Sequence, residues 1–459
     1  MPFLPVVLPT DLLLWLLIVA VVFYGWYCSR KPHLAAPWGR VFRSRAAVVS
    51  SVVLAAYVVI GVADSLHFRA RLPGGDAYSP EVLSLLDIAF KGLKERRERT
   101  YSEPLASRLY AKEMQEVDGR QLREFPRLRH GGIHLEDESE RLRDILARIG
   151  MGLVLAAFAT VLVALAAKRL ERRRPGVPWR AGGAAVVCLL AVALPIALLG
   201  EKYHVLGTDK VGQDVLYLSL KSIRISLIIG TLTTLVLLPL GIALGIMAGY
   251  FKGWIDDAIQ YLYTTLNSIP SVLLIAAAVL MLQVLLDRHA EAFPTAAQRA
   301  DMRLLALCAI LGLTSWTGLA RLLRGEALKL SQLEYIQAAH AFGVADARIL
   351  GRHILPNVAH IVIIAMVMDF SGLVLAEAVL SYVGVGVDPA TTSFGTMINA
   401  ARLEMGREPI VWWSLAAAFF FMLVLVLAAN LFADAVRDAF DPRARLRSPA
   451  AAPVGTAAA

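Results

Sequence analysis

The sequence predicts an all-α polytopic membrane protein, on three observations. Of its 459 residues, 57% are hydrophobic and mean hydropathy is +0.60, too apolar for a soluble chain of this length. Several apolar runs reach the roughly 18–25 residues that cross a bilayer. Basic residues gather in short loops between those runs, as they do on the cytoplasmic side of membrane proteins. The net charge of +9 is therefore a topology signal, and no nucleic-acid partner is expected. Cys28, Cys188 and Cys308 are widely separated, lie in or beside apolar runs and form no C-x-x-C pair, so they read as small apolar fillers.

The first span is expected at 12–27. No basic residue precedes it, which argues against a cleaved leader. The loop 28–45 carries Arg30, Lys31, Arg40, Arg43 and Arg45 and reads as cytoplasmic, which places the amino terminus outside. A second span, 46–63, completes a first unit of residues 1–63. Residues 64–148 hold 16 Lys/Arg and 16 Asp/Glu, so charge does not assign their side, and loops this long cross the membrane largely regardless of it. Alternation makes them an extracytoplasmic insert, expected to be mostly helical. Val82, Leu83, Leu86, Phe90 and Leu93 fall on one helical face, and a second helix is expected near 136–149 with Leu142, Ile145, Leu146 and Ile149 apolar. His130 and His134 are four residues apart, but Gly131 and Gly132 lie between them, and they suggest no metal site.

A third span, 149–167, ends in KRLERRRPGVPWR, the densest short basic run in the chain and a cytoplasmic marker, giving a unit of residues 149–181. Six further spans, near 182–200, 226–249, 257–282, 303–323, 357–383 and 410–435, fill residues 182–440. Counting sides from an external amino terminus places the loop before the eighth span in the cytoplasm. It places the carboxy terminus there too, with Arg437, Arg443, Arg445 and Arg447. The Ala/Pro-rich residues at the end of 441–459 are expected to be a disordered tail.

That loop, EYIQAAHAFGVADARILGRHILPN (334–357), is polar and helix-prone. Ser331 and Glu334 have capping-box spacing. Helix formers run to Phe342, Gly343 breaks the run because it tolerates a positive φ, a second helix begins near Asp346, and Pro356 marks its end or the next span. The segment resembles the cytoplasmic "EAA" loop of ATP-binding-cassette (ABC) importer permeases at Ala338, Ala339, Gly343, Leu355 and Pro356. Gln337 replaces the family's name-giving Glu, with Glu334 one turn earlier. Three more stretches are similar to dipeptide and oligopeptide permeases. The outer segment matches at His204, Leu206, Gly207, Thr208, Asp209, Gly212 and Asp214, with Gln213 where the family usually has Arg. A short inner turn matches at Gly249, Gly253 and Asp256. The end of a core span and its re-entrant outer loop match at Glu377, Leu380, Ser381, Gly384, Gly386, Pro389, Gly395 and Met397.

The resemblance covers roughly residues 200–440. It implies a type I importer core of six spans, preceded by about three extra ones, in the cytoplasmic (inner) membrane. It implies a second homologous permease, two ATPase subunits coupled through residues 334–357, an extracytoplasmic substrate-binding protein and a peptide or peptide-like substrate. The insert would then be a docking surface for the binding protein or a neighbouring subunit, or simply a cap on the membrane face. No G-x-x-x-x-G-K-[ST] phosphate loop is present and the dipeptide Gly-Lys is absent, so ATP and Mg²⁺ are expected in partner subunits, with no cofactor and no catalytic residue in this chain. Neither H-E-x-x-H nor G-x-S-x-G occurs. Asp369 and Glu377, two carboxylates in an apolar span, are possible pathway or structural residues. They also support the alternative, a proton-coupled secondary peptide transporter, although no repeated halves of the kind such carriers show are visible.

Overall fold

Within a bilayer a backbone can satisfy its polar groups only through its own hydrogen bonds, so the apolar runs form helices. The computed structural model describes residues 3–71, 78–117, 120–135, 137–289, 291, 293 and 295–441. The expected tail thus lies outside the described residues beyond Asp441. Among the described residues, eight helical stretches are long and apolar enough to cross a membrane, and one bent pair would make a ninth.

The amino-terminal part holds helices α1 (Pro9–Ser29), α2 (Pro32–Val41) and α3 (Arg45–Asp64). Strand β1 (Phe3–Val6) runs antiparallel to β2 (His67–Ala70), with Phe3 opposite Ala70, and β2 pairs with β3 (Leu83–Ser84). This small sheet joins the chain start to the insert, so the two lie on the same side of the helices whichever side that is. The insert departs from the helical expectation. Among its described residues, the helices before α6 are α4 (Leu85–Ala89), α5 (Lys91–Glu95) and a 3-10 turn at Glu138–Glu140, alongside β3 and the hairpin β4 (Glu113–Val117)–β5 (Arg120–Glu124). Leu86 and Leu93 are buried as the helical pattern requires, but the charged residues after them lead into loop and hairpin instead of a longer helix. The second expected helix is the start of α6 (Arg141–Arg173), where Ile145 is buried and Leu142 and Leu146 point outward.

Helix α7 (Trp179–Gly200) packs on α6, and the core then begins with α8 (Val215–Phe251). At 37 residues, α8 is about 55 Å long, well beyond a hydrocarbon layer of roughly 30 Å. It starts eleven residues before the expected span, and its first turns stand among the insert. The sixth expected span is broken. Helices α9 (Gly253–Ser268) and α10 (Ser271–Arg288) meet at 88°. Pro270 has no N–H to continue the ladder, and its ring forces Ile269 into an extended conformation, with ψ 130°. The core continues through α11 (Ala296–Ser315), α12 (Thr317–Leu330), α13 (Glu334–Ala341), α14 (Asp346–Ile349), α15 (Leu355–Val383), α16 (Phe394–Glu404) and α17 (Trp413–Phe440).

Helix α8 is the centre of the core, packed against α11, α12 and α15. Its contact with α12 is set by Gly241, Gly245 and Gly249, one per turn. A Cβ on Gly245 would lie 2.7 Å from the Ala320 carbonyl oxygen, and one on Gly249 would lie 2.5 Å from that of Arg324. Small residues at this spacing let two helix backbones approach closely where no hydrophobic effect drives them together.

Candidate functional site

The loop between α12 and α15 forms an elbow. Helix α13 ends at Phe342, Gly343 takes φ +74°, and α14 sets off in a new direction. One π-helical turn, Leu350–Ile354, leads into α15, and Pro356, which has no N–H to donate back into that turn, stands just after it. The expected capping box does not form. Ser331 instead closes α12, its hydroxyl donating to the Leu328 carbonyl at 2.9 Å, and Leu333 is the residue that precedes α13. The elbow has two faces. Ile336, Ile349 and Ile354 are buried with Leu319, Leu323 and Ala327 of α12, Val358 of α15 and Ile246 of α8. On the other face Glu334, Gln337, Ala338 and Leu355 are exposed, as is Phe342 at 87%, while Ala339 is half-buried.

Two polar contacts tie the elbow to the bundle. The Tyr250 hydroxyl donates to Asp346 Oδ1 at 2.7 Å, joining the end of α8 to α14. The Arg324 guanidinium pairs with Asp256 through Nε–Oδ1 and Nη2–Oδ2, both 2.6 Å, so α12 grips the start of α9 just after Gly253. This fork-to-fork geometry fixes orientation as well as proximity.

At the opposite end of α8, residues 204–214 form a clamp on the insert. Asp214 caps α8, its Oδ1 accepting from the N–H groups of Leu216 and Tyr217 at 2.9 and 3.2 Å. Its other oxygen lies 2.8 Å from His204 Nδ1, and His204 Nε2 lies 3.4 Å from Glu98 of the insert. Burial works against a charged imidazole, but Asp214 and Glu98 outweigh it and push His204 up to about 9. Burial likewise opposes a charge on Glu98, yet His204 and the backbone N–H groups of Arg129, His130 and Gly131 hold it down at about 2. The Thr208 hydroxyl donates to the Thr100 carbonyl and accepts from the Ser102 N–H at 2.7 Å, and the Thr208 carbonyl accepts from Trp413 Nε1 at 2.9 Å. Asp209 accepts from the N–H groups of Val211 and Gln213. Gly207 and Gly212 take φ +73° and +72°, and a Cβ on Gly212 would collide with the Glu98 backbone. A second rivet lies two turns along α8, where Tyr217 and Lys221 both reach Asp87 of the insert, at 2.7 and 2.6 Å.

The two intramembrane carboxylates prove unlike. Glu377 is fully buried, its Oε1 accepting from Ser381 at 2.7 Å and from Ser393 at 2.8 Å. Ser393 in turn caps α16, so Glu377 pins the re-entrant loop onto α15. Asp369 is half-buried and has no side-chain partner among the described residues. Sequence reasoning passed over another set of charges. Arg224 of α8 pairs with Asp11 of α1 at 2.6 Å. Asp11 also meets His67 at 2.7 Å, and Asp301 of α11 accepts from the Thr10 N–H at 3.0 Å. These groups bolt the first span to the core. Their signal was a charge within or at the edge of an apolar run, which is costly unless paired.

Comparison with known proteins identifies the family. Residues 241–446 match the family described as binding-protein-dependent transport system inner membrane component. The oligopeptide transport system permease protein OppC of Mycobacterium bovis is 33% identical over 242 residues, covering 53% of this chain and 77% of the relative. The dipeptide transport system permease protein DppC of Lactococcus lactis is 32% identical over 244 residues, 53% of this chain and 65% of the relative. The glutathione transport system permease protein GsiD of Pectobacterium atrosepticum is 33% identical over 240 residues, 52% of this chain and 73% of the relative. On this match, and at 33% identity over 77% of a relative's length, the chain belongs to the family of binding-protein-dependent transport system inner membrane components.

Proposed function

We propose that this chain is the second, C-type permease subunit of an ABC importer that carries di- or oligopeptides or peptide-like solutes across the cytoplasmic membrane. The observation that carries the reading is the α13–α14 elbow, exposed on one face and packed on the other against α8, α12 and α15. An ATPase subunit docked on residues 334–357 would move three spans through one contact. The relatives' names, oligopeptide, dipeptide and glutathione permeases, support the substrate class. In this reading the amino terminus and insert face outward, the elbow and the carboxy terminus face the cytoplasm, and a second homologous permease completes the pathway. Two ATPase subunits hold the ATP and Mg²⁺, a binding protein delivers substrate from outside, and this chain is itself no enzyme and holds no cofactor.

The mechanism follows from where the chain is stiff. ATP can shift the spans only by binding one of their arrangements better than the other. Closure of the ATPase pair displaces α13. Ile336 and Ile349 carry the displacement into α12, and the Arg324–Asp256 fork carries it into the inner turn. At the far end, the Asp214–His204–Glu98 clamp and the Asp87 rivet make the insert follow α8. A binding protein seated on the insert would therefore sense the state of the spans.

Asp369, half-buried and without a partner among the described residues, is the observation that favours the rival, a proton-coupled secondary carrier. Uptake of a labelled dipeptide into proteoliposomes holding the assembled complex separates the two. The importer needs internal or external ATP at the nucleotide-binding side and works without a proton gradient. Uptake driven by an imposed gradient in the absence of ATP would overturn the proposal.

A further inference from the structure

The amino-terminal half outside the family match carries a feature that peptide import does not require. Segments 30–45 and 168–180 together hold eleven Lys/Arg and one acid, Glu171. They are more than a hundred residues apart in the chain, yet the fold brings them side by side: a Cβ placed on Gly176 would lie 3.8 Å from Arg43 Nε, and one on Gly182 would lie 2.9 Å from Val48. Among the described residues only Arg180 of this set has an acidic partner, Glu171 at 3.3 Å. A sidedness signal needs basic residues near span ends, but it does not need two loops to converge.

The setting is that of a membrane surface. Helix α2 lies between two spans, buries Trp38 against Phe440 and leaves its other side exposed. Trp26 at the end of α1 is covered by Arg30 at 4.0 Å, and Trp179 opens α7, so three indoles lie in or beside the basic segments, a composition typical of membrane interfaces. The spans leading away from the patch, α1 and α6, are exposed along most of their apolar length, with Val22 at 67% and Phe158 at 69%. Acyl chains can lie along them directly beneath the charges. Convergent basic residues at the inner ends of spans suit anionic headgroups.

We propose that the converged basic loops around Arg43 and Arg172–Arg174 bind the headgroups of anionic phospholipids in the inner leaflet, anchoring the amino-terminal extension beside the moving core. This rests on the inward orientation given under Proposed function.

The full chain in neutral detergent is titrated with phosphatidylglycerol and, separately, phosphatidylcholine, and bound lipid is counted by native mass spectrometry. The unaltered chain should prefer phosphatidylglycerol by about 100-fold or more. Arg43→Gln/Arg172→Gln/Arg173→Gln should weaken phosphatidylglycerol binding on the order of 100-fold, at about fivefold per charge, and leave phosphatidylcholine unchanged. Lysine at the same three positions should keep the preference, and it carries the test if the glutamine variant fails to fold. Neutralising the insert instead, with Arg99→Gln/Arg108→Gln/Lys112→Gln, should change nothing. Equal binding of the two lipids, equal loss in the insert variant, or displacement by millimolar inorganic phosphate would overturn the proposal. Orientation is read apart from lipid binding, by labelling Ala36→Cys with an impermeant maleimide in intact cells. Labelling from outside would defeat the inward assignment even if the lipid preference stood.

Discussion

Replacing Gly343 by valine should uncouple ATP hydrolysis from uptake, whereas asparagine at the same position should not. At Gly343 a Cβ would meet nothing within 4 Å, so no side-chain clash enters. The whole penalty comes from φ +74°, a left-handed conformation that costs an ordinary L-residue about 1–2 kcal/mol. Valine lies at the upper end of that range, and asparagine near the lower end because its amide can hydrogen-bond locally. Valine can escape the strain by returning to negative φ, which swings α14 away from α13 and draws Ile336 and Ile349 out of their shared cluster. About 1.4 kcal/mol is a factor of ten in population, so the docking-competent elbow should fall by about tenfold or somewhat more. Because the loop lies at the surface, insertion and yield should hold. The assay is binding-protein-stimulated ATP hydrolysis alongside peptide uptake in the same proteoliposomes. Valine should cut uptake about tenfold while basal hydrolysis continues, with asparagine near the unaltered chain. Equal activity of both variants would refute the reasoning. Equal impairment would refute it too, since the surface would then be rejecting any side chain rather than a change of backbone angle.

The His204 clamp should titrate. His204 is raised from 6.5 to about 9, so its contribution is complete below about pH 6.5 and is lost as pH rises through about 9. Exchange protection of the Glu98 and Ser102 amides, which bond to the Gly212 carbonyl and the Thr208 hydroxyl, should fall across that window after correction for intrinsic rate. His204→Phe should be weaker throughout and flat with pH, and protection independent of pH in the unaltered chain would count against the clamp. Glu377→Gln keeps a carbonyl acceptor for Ser381 and Ser393 and should change thermal stability little. Glu377→Leu strands two buried hydroxyls at about 1–3 kcal/mol each. Equal melting temperatures for the two variants would show that the pinning of the re-entrant loop is not stabilising.

Some of this was legible in one dimension because it depends on local chemistry. The elbow at Gly343 and the helix start at Asp346 follow from residues whose backbone preferences act within a turn. The break at Pro270 was equally local and could have been read from Ser268-Ile-Pro-Ser271, but the apolar run through it masked the signal. Ser331 misled because its hydroxyl had two possible employers, the end of α12 and the start of α13, and only the packing of α12 decided between them. The strands of the insert escaped because pairs such as Phe3 with Ala70 depend on a partner far along the chain.

By itself the sequence determined that the chain is a stack of membrane helices, with basic loops segregated from the rest and a polar elbow between two spans, because hydropathy, charge and backbone preference are properties of short windows. Tertiary structure alone decided which charges meet. Arg324 finds Asp256, Arg224 finds Asp11, His204 finds Glu98, and Gly176 comes to rest beside Arg43. An ion pair or a close approach is set by the distance between elements, and that distance exists only once the helices have packed.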